Sequence, residues 1–248
     1  MTDLTTCKTL LSFSTLLFAC FTGACASSPR PEAASATAIR CEAGTESYMA
    51  LAGCEEVVGD LHIENSGATD LTELGGLRVV EGTLFISGNA ELESLHGLER
   101  LHSAREVVIV NNPNLQDLNA LNNLEHVERV SIAHNNGLQV ISGMDRVEYL
   151  QTLMIMHNGV TRVSGFNGLV SAGDVAIAEN DRLIYMTGLK RLNFVENLTL
   201  EQNPRLAPTP GMFSSLKHVA ANLSVSGCPG VSEDDVLSKA TPIETASR

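Results

Sequence analysis

Two histidines and a glutamate recur at nearly one interval along the chain and could bind a metal ion. His134, His157 and Glu179 are 23 and 22 residues apart. If that interval is one turn of a coil with parallel strands, the three side chains stand on adjacent turns about 4.8 Å apart. Two imidazoles and a carboxylate at that spacing could hold Zn²⁺ with water in the fourth position. We interpret the three residues as a solvated polar corner, because no fourth ligand and no outer partner for the imidazoles is evident. We therefore expect no metal and no cofactor.

Four charged residues recur at another point of the same interval and could act on a polysaccharide. Asp60, Glu106, Arg129 and Asp174 each directly precede a short apolar segment. Clustered carboxylates and basic groups on one sheet face would suit a parallel β-helix lyase or hydrolase, and such an enzyme is the least favoured alternative. Uncharged Thr and Asn separate these residues along the column. An ion pair between adjacent turns is a simpler explanation for the neighbouring positions of Glu106 and Arg129. The chain also lacks the G-x-S-x-G, H-E-x-x-H, P-loop and dinucleotide-binding motifs, so we expect no catalytic residue.

The interval belongs to an internal repeat of short apolar segments. The last residues of these segments are spaced by 23, 23, 23, 23, 22, 23 and 25 residues. A period held over eight copies indicates stacked supersecondary units. An apolar, variable, apolar triplet predicts a strand with alternate side chains inward, and identical turns can stack such strands only in parallel. The segments are Leu61-His62-Ile63, Leu84-Phe85-Ile86, Val107-Val108-Ile109, Val130-Ser131-Ile132, Leu153-Met154-Ile155, Val175-Ala176-Ile177, Leu198-Thr199-Leu200 and Leu223-Ser224-Val225.

The third residue after each segment forms a polar column. Six consecutive copies hold Asn there, with Ser and Cys at the two ends. Buried side-chain amides can bond the unpaired backbone groups of their own and neighbouring turns, each of which would otherwise cost about 1–3 kcal/mol. The end turns have one neighbour each and need the amide least. The predicted structural ladder is Ser66, Asn89, Asn112, Asn135, Asn158, Asn180, Asn203 and Cys228.

Apolar residues at every third position fill the rest of most turns, as Leu92, Leu95, Leu98 and Leu101 do. This spacing favours extended or 3₁₀-like turns over α-helix. In four turns a glycine precedes the third apolar position, where a tight coil needs a positive φ or a close backbone approach. Ser232 and the three acidic residues after it predict a short capping helix. The predicted fold class is all-β: a single-domain parallel β-helix or solenoid of about eight 23-residue rungs, closed by that helix.

The amino-terminal residues are typical of an export signal. Residues 10–21 form an apolar stretch too short to span a bilayer but suited to the core of a signal peptide. Small residues then precede Cys25, and the pattern resembles the lipobox of bacterial lipoproteins, in which this Cys receives a lipid. Thr22 stands where Leu is usual, and the first residues carry no net positive charge. Cleavage after Ala24 or Ala26 by the ordinary signal peptidase therefore stays open.

These features divide the chain and predict its location. We expect a signal peptide at 1–24, a disordered Ala-, Ser- and Pro-rich tether at 25–40, a folded domain at 41–237 and a tail at 238–248. The tether would be lipidated at Cys25. The protein would lie on the outer membrane or the cell surface, with a periplasmic or secreted soluble protein as the alternative.

Charge restricts the class of partner. Sixteen Lys and Arg against 29 Asp and Glu leave a net charge of −13, which would repel phosphate backbones and anionic lipid headgroups. We expect no nucleic-acid partner, and membrane contact only through the N-terminal lipid. The partner we expect is an envelope protein or glycan.

Three cysteines fall in the expected domain. Cys41 and Cys54 would close a loop of about fourteen residues in an oxidising compartment, a disulfide worth about 3 kcal/mol if it is unstrained. Cys228 would remain free and react slowly while the protein is folded, because it takes a ladder position. The spacing of a zinc knuckle, C-x₂-C, does not occur.

The repeat resembles the receptor L domain. The pattern L-x-I-x-x-N-x-x-L-x-x-L-x-G-L-x-x-L, preceded by the segment from Cys54 to Leu61, carries the resemblance over roughly residues 41–237. The resemblance implies a single-stranded right-handed β-helix related to leucine-rich repeats, with disulfide-pinned ends. Cys41 and Cys54 match the amino-terminal cap of the family, whereas Cys228 has no partner that would close the other end. The family supplies ligand-binding lobes of receptors, but no kinase or cysteine-rich module follows here, so signalling is not implied.

The outward positions of the predicted strands indicate where a ligand could bind. They are polar at the two ends of the repeat and apolar in the middle. We therefore expect a non-catalytic binding module that uses its parallel sheet face for a protein or a glycan. The alternatives are a structural envelope spacer without a specific ligand and a sheet face covered by other parts of the chain, since parallel sheets tend to be covered on both faces. The predicted ligand-binding face is Phe85, Val108, Val110, Met154 and Met156.

Overall fold

The computed structural model describes residues 38–44 and 47–238. Short 3₁₀ turns lie at Tyr48–Leu51, Thr72–Leu74 and Asn119–Asn123, and one α-helix, α1, spans Glu233–Leu237. The strands are β1 (Arg40–Glu42), β2 (Glu56–Val58), β3 (Leu61–Glu64), β4 (Val79–Ser87), β5 (Ser103–Val110), β6 (Arg129–Ala133), β7 (Val140–Ile141), β8 (Tyr149–Met156), β9 (Arg162–Val163), β10 (Ser171–Ala178), β11 (Tyr185–Met186), β12 (Phe194–Glu201) and β13 (His218–Ser226).

Eight of the strands, the rung strands, stack in parallel, one from each predicted segment. They are β3, β4, β5, β6, β8, β10, β12 and β13. Equivalent residues of the repeat lie opposite one another, so that Leu84 pairs with Val107 and Val107 with Val130. Within most of these strands, as in β4, buried and more exposed residues alternate, because successive side chains point to opposite faces of a sheet. The predicted all-β parallel solenoid is confirmed, with about seven turns of about 23 residues.

Asparagine side chains bond neighbouring turns together, as the ladder predicts. Asn112 Nδ2 donates to Ile86 O at 3.0 Å on the preceding strand and to Val110 O at 3.1 Å on its own. Its backbone N donates to Asn135 Oδ1 of the next turn at 3.0 Å. All six ladder asparagines are buried. The side-chain amide of Asn112 thus bonds backbone groups of its own and the preceding turn, and the next asparagine bonds its backbone N. This arrangement lets the chain bend inside the coil while its buried polar groups stay paired.

The interior is a continuous column of Leu, Val and Ile, closed at the back by short elements. β11, β9 and β7 form a three-stranded parallel sheet opposite the rung strands. At the back, Gly143 has φ +90°, and a side-chain carbon on Gly188 would collide with the carbonyl oxygen of Gly165. Positive φ and close approach of successive turns are the two reasons for which glycine was expected here.

The two ends of the solenoid are closed differently. A disulfide joins Cys41 to Cys54, and the 3₁₀ turn between them buries Tyr48 against the first turn. At the other end, Ser232 caps α1 through a reciprocal hydrogen-bonded pair with Asp235, and Val236 is buried. The predicted disulfide and the predicted capping helix are therefore both present. Within the described ranges, no helix has the length and hydrophobicity needed to cross a membrane.

Candidate functional site

The five residues of the predicted ligand-binding face, the sheet-face patch, lie on the outer side of the rung strands. Phe85 pairs with Val108 in one outward row, and Met154 continues that row two strands further on. Val110 and Met156 belong to the parallel row two residues later. Met154 is 38% exposed, and the other four side chains are half-buried. The patch thus runs across the middle of the sheet.

Small residues determine how continuous the patch is. Ser131 stands between Val108 and Met154 and interrupts the first row. In the second row Ala133 connects Val110 to Met156, and Ala178 extends the row by one strand. The apolar surface is therefore unbroken in the second row only, and Phe85, Val108 and Met154 widen it on one side.

The four residues of the enzymatic alternative are each bonded to a residue of a neighbouring turn. Arg129 donates to Glu106 at 3.2 Å, which is the predicted ion pair between turns. Asp60 Oδ1 accepts a hydrogen bond from the backbone N of Thr83 at 2.7 Å, and this bond lowers the pKa of Asp60. Asp174 accepts from the Asn197 amide at 2.6 Å. A glycosidase needs a carboxylic acid whose pKa is raised, so Asp60 is unsuited to that role.

The corner that holds His134, His157 and Glu179 has a geometry of its own. The two imidazole rings stack with their centroids 4.6 Å apart and an angle of 11° between their planes. His157 Nε2 lies 3.3 Å from Glu179 Oε2. Because stacked rings direct their nitrogen lone pairs in parallel planes, the two imidazoles do not converge on one point between them. No group of three His, Cys, Asp or Glu side chains arranged to hold a metal ion occurs in the part of the chain that the structure describes.

The backbone at this corner was not foreseen from the sequence. His134, His157 and Glu179 have φ of 57°, 53° and 54°. The same left-handed conformation occurs at the equivalent Asn65 and Gly88. Asn and Gly tolerate this conformation well, and their presence in the column is the signal that could have revealed it.

A cleft at the amino-terminal ends of the rung strands was also not foreseen. β6 begins at Arg129, three residues later in the repeat than β5 and β8, and an isolated bridge pairs His126 with Ser103 before it. The cleft has a volume of about 940 Å³, and Tyr149 at its border is 55% exposed. Its charged lining residues are Glu81, Arg105, Glu125, Glu128, Arg146 and Glu148.

Residues 53–142 match the receptor L domain. The match begins at the Cys54 cap and extends to β7, and so contains Phe85, Val108 and Val110. The receptor L domain is a family of binding domains rather than catalytic ones, which suggests a ligand-binding module. A search of curated proteins found no match.

Two further predicted sites differ in what the structure shows of them. Cys25, the predicted lipidation site, lies outside the described residues. Cys228 is free and buried at the last ladder position, and its Sγ lies 3.5 Å from the carbonyl oxygens of Leu200 and Ser226. Cys228 thus stands at the end of the ladder, where a neighbouring turn lies on one side only and a thiol can take the place of the side-chain amide.

Proposed function

We propose that this protein is a non-catalytic binding module of the cell envelope that takes a ligand on its sheet-face patch. The chain would be exported and held by a lipid on Cys25. The anchor and the location rest on the apolar segment 10–21 and the small residues before Cys25 in the sequence.

The observation that carries the proposal is an apolar surface on a parallel sheet that the described residues leave open. Parallel sheets usually have both faces covered. Here the inner face packs against the core, whereas Val108, Val110 and Met156 stay half-buried and Met154 is exposed on the outer face. Methionine side chains adapt their shape to a partner, and exposed apolar patches mark interaction sites. The receptor L domain match covers the turns of Val108 and Val110 and supports a binding role.

The test adds charge to the patch without touching the core. In the double variant Val108→Glu, Met154→Glu, both substituted side chains lie on the outer face. The control Gln116→Glu, Gln139→Glu adds the same two charges at exposed positions on adjacent turns away from the sheet face. Each purified protein is immobilised and incubated with detergent-solubilised native envelope, and the captured proteins and glycans are identified.

We expect the wild type and the control to capture the same ligand and the double variant to lose it. Its circular dichroism spectrum and melting temperature should remain near the wild-type values. A large fall in melting temperature would show that the face is buried structure. Capture of nothing by the wild type, or of the same set by all three proteins, would favour the structural spacer.

A further inference from the structure

The rung strands carry an excess of negative charge. The only Lys or Arg residues in the rung strands are Arg105 and Arg129, and Arg129 forms an ion pair with Glu106. Glu81 is likewise paired, with Arg40 at 2.7 Å. The acidic residues of the rung strands that have no Lys or Arg partner among the described ion pairs are Glu64, Asp174, Glu196 and Glu201.

Three of these carboxylates lie around the sheet-face patch. Glu64 and Glu201 belong to the same outward row as Val110 and Met156. Glu64 lies two strands before Val110, and Glu201 lies two strands after Met156. Asp174 lies on the flank, beside the row that contains Met154, and it is exposed. An apolar centre with an acidic rim is complementary to an apolar segment with basic ends.

The cleft at the amino-terminal ends of the rung strands has a similar charge pattern. Its two arginines face four glutamates, and Arg146 is already paired with Glu125 at 2.6 Å. Tyr149 presents an exposed ring at its border, and a cation is attracted to the face of such a ring. The cleft can therefore accept a basic side chain.

The dimensions of the patch suit a short length of extended chain. From β4 to β8 it crosses three intervals between strands, and at about 4.8 Å each this is about 14 Å. About four residues of extended polypeptide span this distance. The patch offers side chains of Val, Met and a single Phe, which suit apolar side chains better than the hydroxyl groups of a glycan.

From this charge complementarity we infer that the ligand of the sheet-face patch is a protein segment with an apolar centre flanked by Lys or Arg. The inference rests on the proposed function and names the class of partner. Apolar side chains of the segment cover Val110, Ala133 and Met156, and the flanking cations meet the acidic rim. An acidic protein or an anionic glycan is repelled by the same rim.

The experiment selects ligands without assuming a charge. The purified full chain is panned with a phage-displayed library of random 12-residue peptides, and the enriched peptides are synthesised with a fluorescein label. Fluorescence anisotropy then gives Kd for four proteins at low and high salt. They are the wild type, Val108→Glu/Met154→Glu, the rim variant Glu64→Gln/Glu201→Gln and the control Gln116→Glu/Gln139→Glu.

We expect the enriched peptides to carry Lys or Arg on both sides of an apolar run. Their Kd should rise at least tenfold in the patch variant, about three- to tenfold in the rim variant and less than twofold in the control, and it should rise with salt. Peptides that require the patch but lack basic residues, or that bind the rim variant as tightly as the wild type, would overturn the inference and leave the proposed function standing. Failure to enrich any peptide that the patch variant weakens would contradict both.

Discussion

Replacing Asn135 by Ala should show how much the asparagine ladder stabilises the fold. Asn135 lies in the middle of the ladder and is fully buried. Its Oδ1 accepts from the backbone N of Asn112 at 3.0 Å, and its Nδ2 donates to Ile109 O and Ala133 O, also at 3.0 Å. The substitution removes one partner from each of these three backbone groups.

The magnitude follows from those three contacts. A buried backbone group that loses its partner costs about 1–3 kcal/mol. Ala133 O keeps the backbone N of Asn111 as a donor at 3.1 Å, so it loses less than Asn112 N. A water molecule entering the space left by the amide can satisfy part of the loss, because the site is polar. We therefore expect the free energy of unfolding to fall by about 2–4 kcal/mol.

Two further variants serve as references for this loss of stability. Asn136→Ala alters the exposed neighbour and should change the free energy of unfolding by no more than about 0.5 kcal/mol. Ser66→Ala removes the first ladder residue, whose hydroxyl makes one hydrogen bond to Asn89 Oδ1 at 2.7 Å, and should cost about 1 kcal/mol. Urea denaturation followed by circular dichroism measures all three, with an unchanged m value as the check on the unfolding transition. A loss below about 1 kcal/mol for Asn135→Ala would refute the ladder as a main source of stability.

Three further predictions concern the lipid anchor and the two ends of the solenoid. Cys25→Ser should release the mature protein from membranes and abolish labelling by a fatty-acid analogue; unchanged membrane retention would exclude the anchor. Peptide mapping without reduction should find Cys41 joined to Cys54 and Cys228 slow to alkylate until the protein unfolds; a bridge from Cys228 to either of the others would contradict the order of the turns. Burial, together with Glu73 and Asp70, raises the pKa of Tyr48 above its ordinary value of about 10, so the neutral phenol is favoured in the folded state. Stability should therefore fall as pH rises above about 10, and Tyr48→Phe should lose less over that range in urea titrations; equal losses would contradict this account.

The sequence predicted the features that recur with the repeat. The rung strands, the ladder and the back of the coil were recognisable because one side chain in one turn has an equivalent in the next, as Asn112 has in Asn135. The disulfide and the helix cap were local signals, two cysteines close together and Ser232 before acidic residues. Each of these depends on residue type and spacing alone.

The features that escaped prediction depend on the backbone or on neighbouring turns. The left-handed conformation of His134 and His157 is not encoded by those residue types, which rarely adopt it without support from surrounding structure. The stacking of the two imidazoles follows from this conformation, because both residues share it and it aims both rings in the same direction.

The coil separates the residues that stabilise it from those available for binding. Inward side chains such as Leu84 and Ile86 are fully buried, and any change in their volume is felt by the turns on either side. Outward side chains of the same strand, such as Phe85, pack beside their equivalents on neighbouring strands, where pair energies are about 0.2–1 kcal/mol; the ring of Phe85 lies 5.5 Å from that of His62. Residues of any chemistry can therefore occupy the outer rows at little cost in stability. An apolar centre at Val110 and Met156 between Glu64 and Glu201 is thus not required by the fold, which is the physical reason to assign it to a ligand.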